Sequence, residues 1–124
     1  MSALWVFVGG GLGALARYGI ALLLPVPSLS AGQFPWATLL TNLLACLLLA
    51  YGLGLALRGQ IGRGGELLLL TGFCGGFSTF STFILEIVQL YQGGHLAAAV
   101  GYLVLSVLLG AAALVAVLYL ADGF

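Results

Sequence analysis

Lysine is absent from this chain, and its 124 residues carry only three arginines, three acids and one histidine. A soluble domain of this size keeps about a quarter of its residues charged; here the charged share is 5% and the hydrophobic share 63%. Such a chain cannot solvate a globular surface, which makes it an integral membrane protein. With zero net charge and no basic run, it offers nucleic acid nothing to bind. Cysteine is scarce too. Cys46 and Cys74 both fall inside apolar segments, lack any metal-type spacing, and read as small buried hydrophobes. No nucleophile pairs with a base and no His/Cys/Asp cluster forms, so an enzyme is not expected. The N-terminus lacks the basic start of a signal peptide, its first charge being Arg17, and is read as a retained first span.

What the chain has instead is apolar length. A span needs about 20 predominantly apolar residues, and four segments meet that: residues 3–24, 35–57, 66–91 and 96–120. Pro25 and Pro27 close the first, Arg58-Gly59 the second, and Gln92-Gly93-Gly94-His95 the third. The tails and connections leave no room for a soluble domain, so residues 1–124 form one four-helix transmembrane unit. Trp5, Trp36, Tyr91 and Tyr119 fit interfacial anchoring, and His95 falls in a short connection where solvation suffices. Four spans put both termini and the second connection on one side, with Arg58, Arg63, Glu66 and Asp122; Arg17 and Glu86 lie toward the other. Two arginines against one is a weak positive-inside instruction. Such a chain can insert both ways, and an antiparallel pair of identical subunits is the natural use of that ambiguity.

Polar groups in lipid are costly unless they face protein or water. Thr38, Thr41 and Asn42 share one face of the second span. Taken alone, Asn42 reads first as interhelical glue worth roughly 1 kcal/mol. Gly9, Gly13 and Arg17 share a face of the first span, where the glycines permit close helix approach. Arg17 lies about 10 Å deep at 1.5 Å per residue. It is either a snorkelling anchor or a fixed positive charge at the mouth of an anion path. Glu86, at similar depth on the same side, is a candidate partner for it. Ser106 and Gly110 form a small-xxx-small pair on the fourth span.

The most unusual stretch is GFCGGFSTFSTF, Gly72 to Phe83, inside the third span. Glycine costs a helix interior about 1 kcal/mol relative to alanine, so Gly72, Gly75 and Gly76 are expected to weaken the span. Ser78 and Thr79 add competing local hydrogen bonds. A break there would free backbone carbonyls and amides, which survive at membrane depth only inside protein or beside a cavity, and broken helices build ion sites from such groups. Beyond it, Phe80 and Phe83 are expected to share a face. A glycine-rich packing seam with aromatic filling remains the plainer alternative.

At these residues the sequence resembles the Fluc-type (CrcB-like) fluoride channels. GGGLGALARY (Gly9 to Tyr18), TNLLAC around Asn42, and GFCGGFSTFSTF followed by Glu86 carry the likeness, with Phe77 where many relatives have leucine. The resemblance implies an all-α, antiparallel, dual-topology homodimer of four-helix subunits in the bacterial inner membrane, with two fluoride pathways. It also implies a central sodium ion held by the backbone carbonyls of Gly75 and Ser78 at the break in the third helix. Phe80 and Phe83 would line the pathway. Asn42, Ser81 and Thr82 would join them in a polar track, with Thr38, Tyr102 and Ser106 carried over less directly. Arg17 and Glu86 fall at the vestibule.

The chemistry suits that assignment. Fluoride holds water tightly, so a selective path must replace hydration with close donors, and aromatic rings offer an anion their positive edge. The competing expectation is a proton-coupled small multidrug transporter, also short and four-spanning. Its membrane-embedded carboxylate is missing from this first span, whose only charge is Arg17. A non-transporting assembly subunit would explain the glycines but not the Ser/Thr/Phe segment.

Overall fold

The computed structural model describes residues 1–120 and is all-helical over them. Asp122, expected beside Arg58 and Arg63, lies outside the described residues. Helix α1 runs Ser2–Leu23 and α2 Trp36–Leu57; a 3₁₀ turn, Leu29–Ala31, lies in the connection between them. The third span, Arg63–Gln92, is composite: α3 (Arg63–Glu66), a π-helical stretch (Leu67–Cys74), α4 (Gly75–Phe77) and, after an interruption, α5 (Ser81–Gln92). Helix α6, Leu96–Leu120, completes four spans long and apolar enough to cross a bilayer. The protein is a multi-pass membrane protein.

Local chemistry sets the ends. Leu24 turns extended (φ −112°, ψ 151°), as a residue before proline prefers, and Pro35 introduces α2 without spending a needed N–H. Past α2 and α5 the chain reverses at Gly59 and Gly94, with φ of 70° and 86°, a region closed to most side chains.

Helix α1 lies on the N-terminal part of the third span so closely that glycine is required on both sides. A Cβ on Gly9 would collide with the Leu68 carbonyl, on Gly13 with that of Phe73, and on Gly76 with that of Gly10. The glycines expected to weaken the span are helical here, and the expected break forms at the Ser/Thr residues of the same stretch. Gly75 has ordinary helical angles (φ −64°, ψ −38°), while Gly72 and Gly76 are seam residues against Gly9 and Gly10. The interruption comes two residues later. On the other side of the bundle α2 packs against α6, with Cys46 Sγ seated over Gly110. Leu39, Phe83, Leu90, Ala99 and Tyr102 form the buried apolar cluster.

Candidate ion pathway

Ser78 leaves the helix with φ −80° and ψ 160°, and the chain re-enters it after Phe80 (φ −91°, ψ −40°). Asn42 on α2 fills this interruption. Its Oδ1 accepts the Thr79 N–H at 2.8 Å, and its Nδ2 donates to the Thr79 carbonyl at 3.1 Å. In an uninterrupted α-helix the Thr79 N–H would bond Gly75 O; here it is diverted. The Thr82 N–H, due to Ser78 O, turns instead to Thr79 Oγ1 at 3.3 Å. The carbonyls of Gly75, Phe77 and Ser78 are left without a hydrogen-bond donor among the described residues. Gly76 O is taken by Arg17 Nε at 3.3 Å. Ser78 folds its hydroxyl back, Oγ donating to Cys74 O at 2.8 Å beside its own N–H at 3.0 Å. Its side chain is thus committed and its carbonyl is not. Two uncommitted carbonyls on residues 75 and 78 suit a hard cation that takes oxygen ligands. Gly75 is exposed, and a Cβ on it would touch nothing within 4 Å.

Two grooves meet at this interruption. One, of about 310 Å³, is lined by Asn42, Ser78, Thr79, Phe80, Phe83 and Ser106, among others. Ser106 Oγ is fully buried there without a hydrogen-bond partner among the described residues. The other, of about 260 Å³, has Arg17 and Tyr18 facing Thr38, Thr41, Thr79 and Thr82. The expected single polar track is therefore divided: Asn42, Phe80, Phe83 and Ser106 belong to the first groove, Thr38 and Thr82 to the second. Thr79 is common to both. Ser81 is exposed and lines neither.

Glu86 corrects another expectation. It forms no ion pair with Arg17. Buried at 8% exposure, it accepts from Thr38 Oγ1 at 3.0 Å and from Tyr102 OH at 2.9 Å. Arg17 has turned to the carbonyl of Gly76 instead. Two neutral hydroxyl donors satisfy one oxygen each of the carboxyl group, so α2, α5 and α6 are joined around Glu86 without a positive charge. Tyr102 also meets the rings of Phe83 and Phe34 edge-on, with centroids 5.0 and 5.2 Å apart. Phe80 and Phe83 line the same groove with ring centroids 6.3 Å apart, but they differ in burial: Phe83 is 7% exposed and Phe80 74%. Phe80 precedes the first turn of α5, so helical spacing does not govern its direction.

Two residues gain weight that their sequence setting did not give them. Thr79 is held by Asn42 and its hydroxyl accepts the Thr82 N–H in the first turn of α5, yet it looked like one hydroxyl among four. His95, expected in solvent, ties the two connections on its side together. Its Nε2 lies 3.1 Å from Ser30 O, and its ring packs against Gly32 and Gly93.

Comparison with known proteins bears on what this arrangement serves. The family described as CrcB-like protein, Camphor Resistance (CrcB), matches residues 4–118. A protein of Paracoccus denitrificans named fluoride-specific ion channel FluC is 45% identical over 123 residues, covering 97% of this chain and 94% of the relative. Proteins of the same name from Thermus thermophilus and Azobacteroides pseudotrichonymphae are 43% and 38% identical. The first of these matches covers 86% of this chain and 84% of the relative; the second covers 87% and 86%.

Proposed function

The chain belongs to the CrcB-like protein family, and on that premise we propose that it is a fluoride-selective channel. It lets fluoride leave the cytoplasm passively and so relieves fluoride toxicity. The observation that carries this reading is the groove of Asn42, Phe83 and Ser106. At membrane depth it presents a buried hydroxyl with no partner among the described residues, beside an amide with one N–H to spare and an aromatic ring. An amide nitrogen has two N–H donors, and Asn42 spends one on Thr79. The remaining N–H, the Ser106 hydroxyl and the positive ring edge of Phe83 can each face a small anion that has shed its water. No full charge lines this groove, so the anion is held weakly enough to leave, as conduction requires. Arg17, in the second groove with Thr38 and Thr82, raises the local anion concentration at the vestibule.

Two finer features belong to the same proposal. The carbonyls of Gly75 and Ser78 would hold a sodium ion, which when bound supplies a fixed positive charge that anchors the interruption. The working unit would be an antiparallel homodimer of dual topology. Supporting it are the weak arginine bias between the two sides, the outward face of Gly75, and Phe80 lying exposed at the interruption. A second copy would cover both. The proton-coupled transporter has no comparable support, because the buried carboxyl group, Glu86, is enclosed by hydroxyl donors on two helices.

Fluoride efflux from liposomes containing only this protein, read with a fluoride electrode, tests the reading. Rapid fluoride release with chloride retained is the expected result. Equal release of both ions, or of neither, would overturn it.

A further inference from the structure

We infer that Asn42 is the positioning residue that keeps the cation-binding carbonyls free, so that one side chain serves both the anion groove and the cation site. The inference rests on the sodium reading above and deepens it. Residues 75–77 are already helical up to Ser78. The partner that a helix would give the Thr79 N–H is Gly75 O, and the ψ of 160° at Ser78 breaks that turn. Asn42 removes the incentive to close that turn. Its amide offers Thr79 an acceptor and a donor at 2.8 and 3.1 Å, satisfying the whole peptide group without using Gly75 O. Only one orientation of the amide can do this, since a backbone N–H needs the oxygen and a backbone carbonyl the nitrogen.

Nothing else in the neighbourhood substitutes. Ser78 directs both its N–H and its hydroxyl to Cys74 O. Arg17 holds the neighbouring Gly76 O and leaves Thr79 alone. If Asn42 is lost, the cheapest repair is a continuous helix. The Thr79 N–H then takes Gly75 O, and the Thr82 N–H takes Ser78 O, consuming both carbonyls assigned to the cation. Loss of an outer partner of this kind weakens metal binding by about tenfold or more.

The test compares purified full-length wild type, Asn42→Ala, Asn42→Asp and Phe83→Ile. Thermal unfolding is followed in increasing sodium chloride, with N-methylglucamine chloride as control, and fluoride efflux is measured in parallel. We expect sodium to raise the wild-type melting temperature, and Asn42→Ala to need about tenfold more sodium for the same shift. Phe83→Ile should lose fluoride flux yet keep the wild-type sodium response, because it leaves Asn42 and Thr79 in contact. Asn42→Asp keeps an oxygen for the Thr79 N–H but sets a second acceptor against the Thr79 carbonyl, so its sodium response should fall between those of wild type and Asn42→Ala. A wild-type sodium dependence in Asn42→Ala would overturn the inference while leaving the cation site standing. Absence of any sodium response in wild type would overturn both, with the fluoride reading still judged by efflux. If Asn42→Ala does not fold, Asn42→Asp decides, and a sodium requirement there equal to that of wild type counts against the positioning role.

Discussion

At the residue scale, hydroxyls and rings that look alike in sequence are used differently. The Ser78 hydroxyl donates to Cys74 O, which the Ser78 N–H already occupies. Ser78→Ala should therefore cost at most about 1 kcal/mol and leave fluoride efflux near wild type; severe loss of flux would make the hydroxyl a ligand. Thr38 and Tyr102 each hold one oxygen of buried Glu86. Tyr102→Phe leaves one of those oxygens unpaired, and melting curves should show a loss of about 1–3 kcal/mol. Phe83 packs edge-on against Tyr102. Phe83→Met keeps the apolar volume within about 1.5 kcal/mol but removes the ring edge, so fluoride efflux should fall by orders of magnitude while the protein elutes normally from gel filtration. Unchanged efflux in that variant would remove Phe83 from the path.

At the scale of elements, the third span shows how glycines that look equivalent divide into two kinds. A Cβ on Gly76 would meet the backbone of Gly10, whereas one on Gly75 would meet nothing within 4 Å among the described residues. Gly76→Ala should force α1 from the third span and destabilise the protein by about 1–3 kcal/mol, as overpacking does. Gly75→Ala leaves that seam intact, so in thermal unfolding without sodium it should cost clearly less than Gly76→Ala. Equal effects in thermal unfolding would show that helix propensity, not the seam, sets the role of these glycines. The π-helical stretch Leu67–Cys74 was not legible in the sequence. LLLLTGFC carries no local mark of widened turns, and a π segment is settled by how the span meets α1. The interruption was legible within Gly72–Phe83, where Ser78 and Thr79 compete for local hydrogen bonds, but the partner that holds it open was not. It sits where Asn42, 37 residues away in sequence, reaches the Thr79 peptide.

At the scale of the whole molecule, the charge bias between the two sides is two arginines against one. Dual topology then predicts that C-terminal tags are labelled from both faces of the membrane in comparable amounts. Labelling from one face alone would leave the antiparallel dimer without support. Exposed apolar side chains cover the lipid-facing helices, as a bilayer requires, so apolar exposure by itself does not mark a partner surface.

The sequence by itself determined membrane residence, four spans and the close approach of the first span through Gly9 and Gly13. These follow from composition, apolar length and side-chain size, which act locally and leave a periodic trace. It also marked Asn42 and the hydroxyl run as polar groups that lipid would not tolerate idle, while Phe83 and Ser106 entered the site through the family resemblance. Only the tertiary structure decided their partners. Glu86 turned to Thr38 and Tyr102, and Arg17 to a backbone carbonyl. Asn42 took a peptide group and so released Gly75 O. The physical reason is that a hydrogen bond is chosen among all donors and acceptors within about 3 Å in space. Depth in the membrane fixes only one of the three coordinates that bring them together.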